Sequence, residues 1–290
     1  EFCIMKAKKA RKAIGIIALV FAAFILATVA VTAIVSSNNI KKARSFDKVQ
    51  IKNQLIPQKD EDGNWTFTTD EEFKVLQLTD IHIGGGWMSL EKDAKALNAV
   101  AAMVEAEKPD LVIATGDIAF PVPYKAGTFN NKAGTKTFAA LMEQLGVYWT
   151  VCFGNHDTEA YSYFSREKIS DFYENSGFKY CLYQRGPEDI DGYGNYVINV
   201  KNSQGKITQS LYAFDSHSYT DGDYFGILWK YDNIKDSQVE WYKANVKKFN
   251  EQNGGETVKS TAFFHIPLAE YQDAWYEYID NGFKDSENVK

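Results

Sequence analysis

Apolar and polar positions divide this chain into one long uncharged run followed by many short ones. No charge occurs from Ile14 to Val35, while Lys6, Lys8, Lys9, Arg11 and Lys12 stand just before it. A helix of that length crosses the roughly 30 Å hydrocarbon layer, and a basic flank stays cytoplasmic, sending the remainder across the membrane. The alternative is a cleaved signal peptide, with Val31-Thr32-Ala33 as an acceptable small-residue site, although the run exceeds the roughly 7–15 residues usual for a signal core. Residues 1–35 are therefore read as a basic N-terminus plus a membrane anchor or signal segment. Met5 is the first methionine, so Glu1-Phe2-Cys3-Ile4 is set aside from fold reasoning.

Residues 36–72 are polar and read as a linker running into an edge hairpin, with Asp60-Glu61-Asp62-Gly63-Asn64 turning between two short strands. Lys41, Lys42 and Arg44 fit a solvated juxtamembrane stalk. Further on, β-prone runs at Val75–Leu78, Leu111–Ala114 and Val147–Phe153 alternate with helical periodicity. Leu90, Ala94, Leu97, Ala101 and Val104 share one helix face that ends before Pro109, with Ser89 placed to cap it. A second helix is predicted over Lys136–Leu145, stopped by Gly146, and a third over Arg166–Asn175. Tyr196–Val200 and Ile207–Phe214 read as strands of a second sheet, Ser237–Phe249 as a helix, and Val258–Phe264 as a returning strand. The aromatics from Tyr219 to Trp241 read mostly as core and sheet packing.

Composition narrows this to one large core: of 290 residues, 45% are hydrophobic and 14% aromatic, enough for a single domain over 73–290. The net charge is −6. Since the segment before Ile14 is basic, the rest is more acidic still, and with no basic stripe no nucleic-acid binding is expected. Cys152 lies inside an apolar strand, where a buried free thiol is the commoner state; pairing with Cys181 is the alternative in an exported domain.

Candidate chemistry is concentrated in four stretches: Asp80-Ile81-His82, Gly116-Asp117, Gly154-Asn155-His156-Asp157 and Phe263-Phe264-His265-Ile266-Pro267. Three of the four histidines lie in them. The first three stretches each follow a predicted core strand, and each interval leaves room for a helix and a return strand. Two consecutive βαβ units would bring them to one rim, where open α/β sheets build their sites. Carboxylates, an amide oxygen and imidazoles suit Mn, Fe or Zn. A carboxylate shared by two ions about 3.5–4 Å apart is the signature of a two-metal hydrolase. Any one motif alone would carry no weight; the ordered set does.

Taken together, these motifs make the chain resemble the calcineurin-like metallophosphoesterases. LQLTDIHIG, DLVIATGDI and FFHIP are most similar to the purple-acid-phosphatase-like branch, over roughly Phe73 to Pro267. The resemblance implies an α/β four-layer sandwich, two facing mixed β-sheets flanked by helices, preceded here by the transmembrane or signal helix. It implies two metal ions and a phosphate-ester substrate, phosphomonoesters before diesters. Asp80 and His82 would bind the first metal, Asp117 would bridge, and Asn155 and His265 would bind the second. His156 would be a non-ligand histidine beside the phosphate, donating to the leaving oxygen, which needs a proton as it departs. Asp157 would fix the His156 tautomer. Asn155 and His156 would contact substrate, as would His217, which with Asp215 follows a strand and could line the cleft. Gly84-Gly85-Gly86-Trp87 lacks the Lys and Ser/Thr of a P-loop and reads as a flexible rim; Gln238 and Trp241 read as packing residues.

Two departures from the family pattern stand out. Such families supply further ligands from a Gly-His-x-His motif after the lone histidine, and none occurs from Pro267 to Lys290, so the chain is expected to be C-terminally truncated. Purple members carry a tyrosine three residues after the bridging aspartate; that position is Phe120 here, so no purple charge-transfer band is expected. The leading expectation is hydrolysis of phosphate esters by a membrane-anchored or secreted, extracytoplasmic domain. The alternatives are a phosphodiesterase acting on nucleotides or lipid headgroups and a non-catalytic phosphate-binding protein.

Overall fold

The computed structural model of the chain describes residues 2–220 and 230–286. Its first helix, α1 (Phe2–Ala43), outlasts the uncharged run. Ile14, Leu19, Phe24 and Leu26 are exposed, yet Thr32, Val35, Asn39 and Ala43 are buried. Their spacing puts one stripe of the helix's last turns against the domain. Residues 36–43 are therefore helix and docking surface, not the linker or stalk expected, because the stripe finds a partner that its own composition does not announce. The hairpin β1 (Gln58–Lys59) and β2 (Trp65–Thr68) is as predicted, with Asp60 Oδ1 accepting from the Asp62 and Asn64 amides in its turn.

Two βαβ units follow. The strands are β3 (Val75–Leu78), β4 (Leu111–Thr115) and β5 (Trp149–Cys152), and the crossover helices are α2 (Leu90–Glu107) and α4 (Asn131–Leu145), with short α3 (Pro123–Ala126) between β4 and α4. The strands pair in parallel in the order β3-β4-β5. Gly146 closes α4 at φ +72, its amide returning to Met142 O, a conformation that costs glycine nothing. After α5 (Arg166–Asn175) come β6 (Tyr196–Lys201), β7 (Ile207–Ala213), α6 (Asp236–Gln252), β8 (Lys259–Phe263) and α7 (Glu270–Asp280). These complete a five-stranded mixed sheet in the order β1-β2-β6-β7-β8.

The sheets face each other across one core. Phe67, Tyr196, Ile198, Leu211 and Phe263 of the larger sheet join Leu78, Ile113 and Val151 of the smaller and Leu97, Phe138 and Leu141 of α2 and α4. Tyr196 OH donates to Val151 O at 2.8 Å and the Cys152 thiol to Phe263 O at 3.2 Å, tying sheet to sheet. On the outer face of the larger sheet, Val197, Tyr212 and Phe214 pack with Phe249, and Trp241 abuts Tyr212 and Phe214. The order helix, sheet, sheet, helix is the four-layer α/β sandwich expected. Fully buried Trp149 meets Phe138 edge-on at 5.6 Å; truncating such a ring to alanine costs about 3–5 kcal/mol.

Several details differ from the sequence expectation. Ser89 stands at the start of α2 but caps no amide there: its hydroxyl bonds Gly86 and Asp93. Gly84, Gly85 and Gly86 are buried, two of their amides held by Asp93 at 2.8 and 2.9 Å, so this loop is pinned where a flexible rim was expected. Both Cys152 and Cys181 are free thiols, and burial pushes Cys152 up to about 12. The aromatics at 221–229 lie outside the described residues.

Candidate metal centre

All four motifs converge at the carboxyl ends of β3, β4, β5 and β8, where each strand stops and its next residues turn across the rim. That turn is sharp. Asp80, His82 and Asp117 adopt φ of +54, +54 and +53, left-handed values that cost a non-glycine residue roughly 1–3 kcal/mol. Two glycines let the loops meet. A Cβ on Gly116 would come within 2.7 Å of Gly154 Cα and His265 Nδ1, and one on Gly154 within 2.2 Å of Asp117 Oδ1. Gly116 has φ +97, so it serves both turn and space; Gly154 serves space alone.

Asp117 is the centre of the constellation. Its Oδ1 accepts the His156 amide at 2.8 Å. Its Oδ2 faces the Nε2 atoms of His82, His265 and His156 at 3.2, 3.4 and 4.0 Å. Two donor groups share it: His82, Asp117 and His156, and Asp80, Asp117 and His265, each with its donor atoms within 4.8 Å of one another. Asn155 joins the second group, its Oδ1 3.2 Å from His265 Nε2. Thus Asp80, His82, Asp117, Asn155 and His265 lie together around Asp117, but the groups divide them otherwise than the resemblance implied: His82 falls with His156, and Asp80 with His265.

The chemistry of this donor set fits a cation. His265 Nδ1 must donate to the Thr115 carbonyl at 2.9 Å, which leaves the neutral ring's Nε2 lone pair aimed at two oxygens, Asp117 Oδ2 and Asn155 Oδ1. His156 Nδ1 is likewise committed, 2.5 Å from Glu159 Oε1, so its Nε2 lone pair also faces the Asp117 carboxylate. Lone pairs opposed to carboxylate oxygens repel unless a proton or a metal ion lies between them. Protons do the work in the metal-free protein. Burial disfavours the His265 imidazolium, but the hydrogen bond and charge of Asp117 outweigh it and raise His265 to about 9. Burial would raise Asp117, and the hydrogen bonds from His265 and His82 reverse this and hold it well below the usual carboxylate range. For His156, burial is again outweighed by Glu159 and Asp117, and the net direction is up.

Asp157 does not hold the His156 ring. Its carboxylate accepts the amides of Asp117, Ala119 and Gly154 at 2.9, 2.8 and 2.8 Å. Burial, then repulsion by Asp117, raises it to about 6. Asp157 fixes the two loops that carry Asp117 and Asn155; the partner of the His156 ring is Glu159, which the motif reading missed. The 3₁₀ turn at His156–Thr158 brings the residue three positions on back over the ring, so the His-x-x-Glu spacing was the available signal. Tyr219 was also missed as a site residue: its hydroxyl accepts from Asn155 Nδ2 at 2.8 Å and donates to Glu159 at 3.3 Å, linking the two loops.

His217 belongs to neither donor group. Its Nδ1 is turned to Asn233 O at 3.2 Å. Asp215 is fully buried and serves the scaffold, holding the Arg166 guanidinium and the amides of Tyr193 and His217. Phe120 lies against the first donor group, stacked on His82 at 4.6 Å and edge-on to His156 at 4.6 Å.

Known proteins bear on this geometry. The chain is 29% identical to "Probable inactive purple acid phosphatase 28" of Arabidopsis thaliana, over 72% of this chain and 57% of the relative. It is 30% identical to "Probable inactive purple acid phosphatase 14" of the same plant, over 71% and 56%, and 30% identical to "Phosphatase DCR2" of Saccharomyces cerevisiae, over 70% and 36%. The chain thus spans little more than half of these plant relatives' length and about a third of the yeast protein's. The family model for the calcineurin-like phosphoesterases matches residues 73–287, a stretch holding every donor just described, and the chain belongs to that family.

Proposed function

We propose that this protein hydrolyses phosphate esters, phosphomonoesters first, using two metal ions held by Asp80, His82, Asp117, Asn155 and His265. The observation that carries this is Asp117 Oδ2, on which three imidazoles converge and which belongs to both donor groups. When bound, the two ions would supply charge to the phosphoryl oxygens and acidify an attacking water. The chain's own residues do the rest. Asn155 adds an oxygen donor without adding negative charge, which leaves the centre attractive to a phosphate dianion. Glu159 and Asp117 favour the protonated His156 ring, and its Nε2–H can then donate to the leaving oxygen. Phe120 packs against both rings and limits their swing. We place this domain, residues 73–290 joined by the β1–β2 hairpin, outside the cytoplasm, supported by the basic flank before the apolar helix.

The test is the full chain loaded with Mn, Fe or Zn and offered p-nitrophenyl phosphate and bis(p-nitrophenyl) phosphate. Metal-dependent turnover favouring the monoester is expected; preference for the diester would make it a phosphodiesterase. The word "inactive" in two relatives' names favours a second reading, a phosphate-binding protein without turnover. Metal-dependent binding of inorganic phosphate by calorimetry, with neither ester cleaved, would establish that one instead.

A further inference from the structure

The direction in which α1 leaves the domain says what the site faces. Just beyond α1, the chain is tied to the last turn of α4, with Val49 N donating to Leu145 O at 3.0 Å and Gln144 Nε2 to Phe46 O at 2.8 Å. Further back along α1, Asn39 Nδ2 donates to Asp93 Oδ2 at 2.8 Å. Asp93 holds Gly84 and Gly85, and Gly85 is pressed on Ala133 in the first turn of α4. The two helices therefore run parallel. The first turn of α4 is the end at which β4 delivers Asp117, so α1 departs from the domain on the side of the metal centre.

The membrane level follows from burial. Residues 13–31 are exposed or nearly so, and as a helix they rise about 28 Å, close to the hydrocarbon thickness. Burial begins at Thr32, so no spacer separates the domain from the bilayer. The rim turned that way carries exposed apolar side chains. Trp87 (51% exposed) and Met88 (46%) end the loop leaving His82, Leu90 (45%) opens α2, and Tyr124 (75%) lies in α3, on the stretch leaving Asp117. Trp and Tyr favour the headgroup level, and a cluster of exposed apolar side chains marks an interaction surface. Lys125 stands beside them, over the Phe120 ring at 5.2 Å, placed to meet an anionic headgroup.

We propose that Trp87, Met88, Leu90 and Tyr124 dock on the bilayer that α1 enters, so that the centre takes phosphate esters held in the headgroup plane. This rests on the anchor reading of α1 and, for the substrate, on the phosphoesterase reading.

The experiment uses the full chain in phosphatidylcholine vesicles, in a Cys3→Ser background. An environment-sensitive fluorophore is attached at Met88→Cys or, at the opposite end of the sheets, at Gln204→Cys. Docking is expected to blue-shift the label at 88 and let headgroup-proximal spin-labelled lipids quench it, with the label at 204 unaffected. Equal solvent exposure at both positions, in protein that stays in carbonate-washed membranes, overturns the docking while leaving the anchor standing. Release by carbonate overturns the anchor and the docking together. In the second arm, Trp87→Ser combined with Met88→Ser is expected to lower hydrolysis of vesicle-borne phosphatidic acid at least about tenfold, with soluble p-nitrophenyl phosphate changed less than about twofold. Equal loss on both substrates overturns the substrate assignment, and no turnover of either by the parent chain overturns the phosphoesterase reading while the fluorescence still reports docking.

Discussion

Glu159 Oε1 lies 2.5 Å from His156 Nδ1, and the same oxygen accepts from Tyr219 OH at 3.3 Å. Since Tyr219 OH also accepts from Asn155, one carboxylate sets the ring proposed to face the leaving group and steadies a proposed metal donor. Its side chain is only 4% exposed, so water is a poor substitute for it. Glu159→Gln is expected to keep both metals and to lower kcat about 10–100-fold, the usual scale for a partner that orients a site histidine. Metal analysis beside steady-state kinetics checks this; wild-type turnover in Glu159→Gln would show that the contact is incidental.

His265 is expected to make metal binding sensitive to pH. Held at about 9 in the metal-free fold, against about 6.5 for a free imidazole, it binds its proton more tightly folded than unfolded. That contribution to metal-free stability is fully present below about pH 6.5 and is lost as pH rises through about 9. A metal ion held there would need the same Nε2 and would have to displace the proton. Apparent affinity for Zn or Mn is expected to climb from pH 6.5 to 9, with proton release, and to level off above. Titration calorimetry in buffers of different ionisation enthalpy measures both; an affinity flat across that window contradicts the assignment.

How much of this was legible depends on where each residue's partners sit. Periodicity located α5 at Arg166–Asn175, because its amphipathic face and Ser165 cap are local. It started α4 late. Asn131 begins that helix because its buried amide donates to Asp157 O and Phe164 O, contacts made only in the folded chain. Motif order located the donors because strand ends and glycines are local features, whereas Asp157 and Glu159 exchanged roles because a turn geometry, not spacing alone, decides which carboxylate meets His156. The docking of α1 was hidden by the helix being apolar on every side, so that nothing in its pattern marked Thr32, Val35 and Asn39 as the buried stripe.

Phe120 gives a spectroscopic expectation. Its ring stacks on His82 in the place where purple relatives of the family carry a phenol. Iron-loaded protein is expected to show no strong visible band, and Phe120→Tyr to gain one, since a phenolate would then stand beside the first donor group. Absorption spectra of the two iron-loaded proteins settle it. A purple parent protein would mean that some other tyrosine reaches the iron.

Asp117 and His156 are separable by what each variant keeps. Asp117 is the one carboxylate common to both donor groups, so Asp117→Asn is expected to lose a metal ion along with activity, a neutral amide being unable to offset charge between two cations. His156 stands at the edge, its Nε2 4.0 Å from Asp117 Oδ2 and its Nδ1 taken by Glu159. His156→Ala is expected to retain both ions and to lose about 10²-fold or more in turnover, the scale of a missing general acid. The loss should shrink for nitrophenolate, which departs without a proton, and stay large for an alkyl phosphate, whose alkoxide needs one. Metal content and the rates on the two esters decide. If His156→Ala releases an ion, His156 is a ligand, as its place in the His82 group permits; if the loss is the same for both leaving groups, it is not the acid.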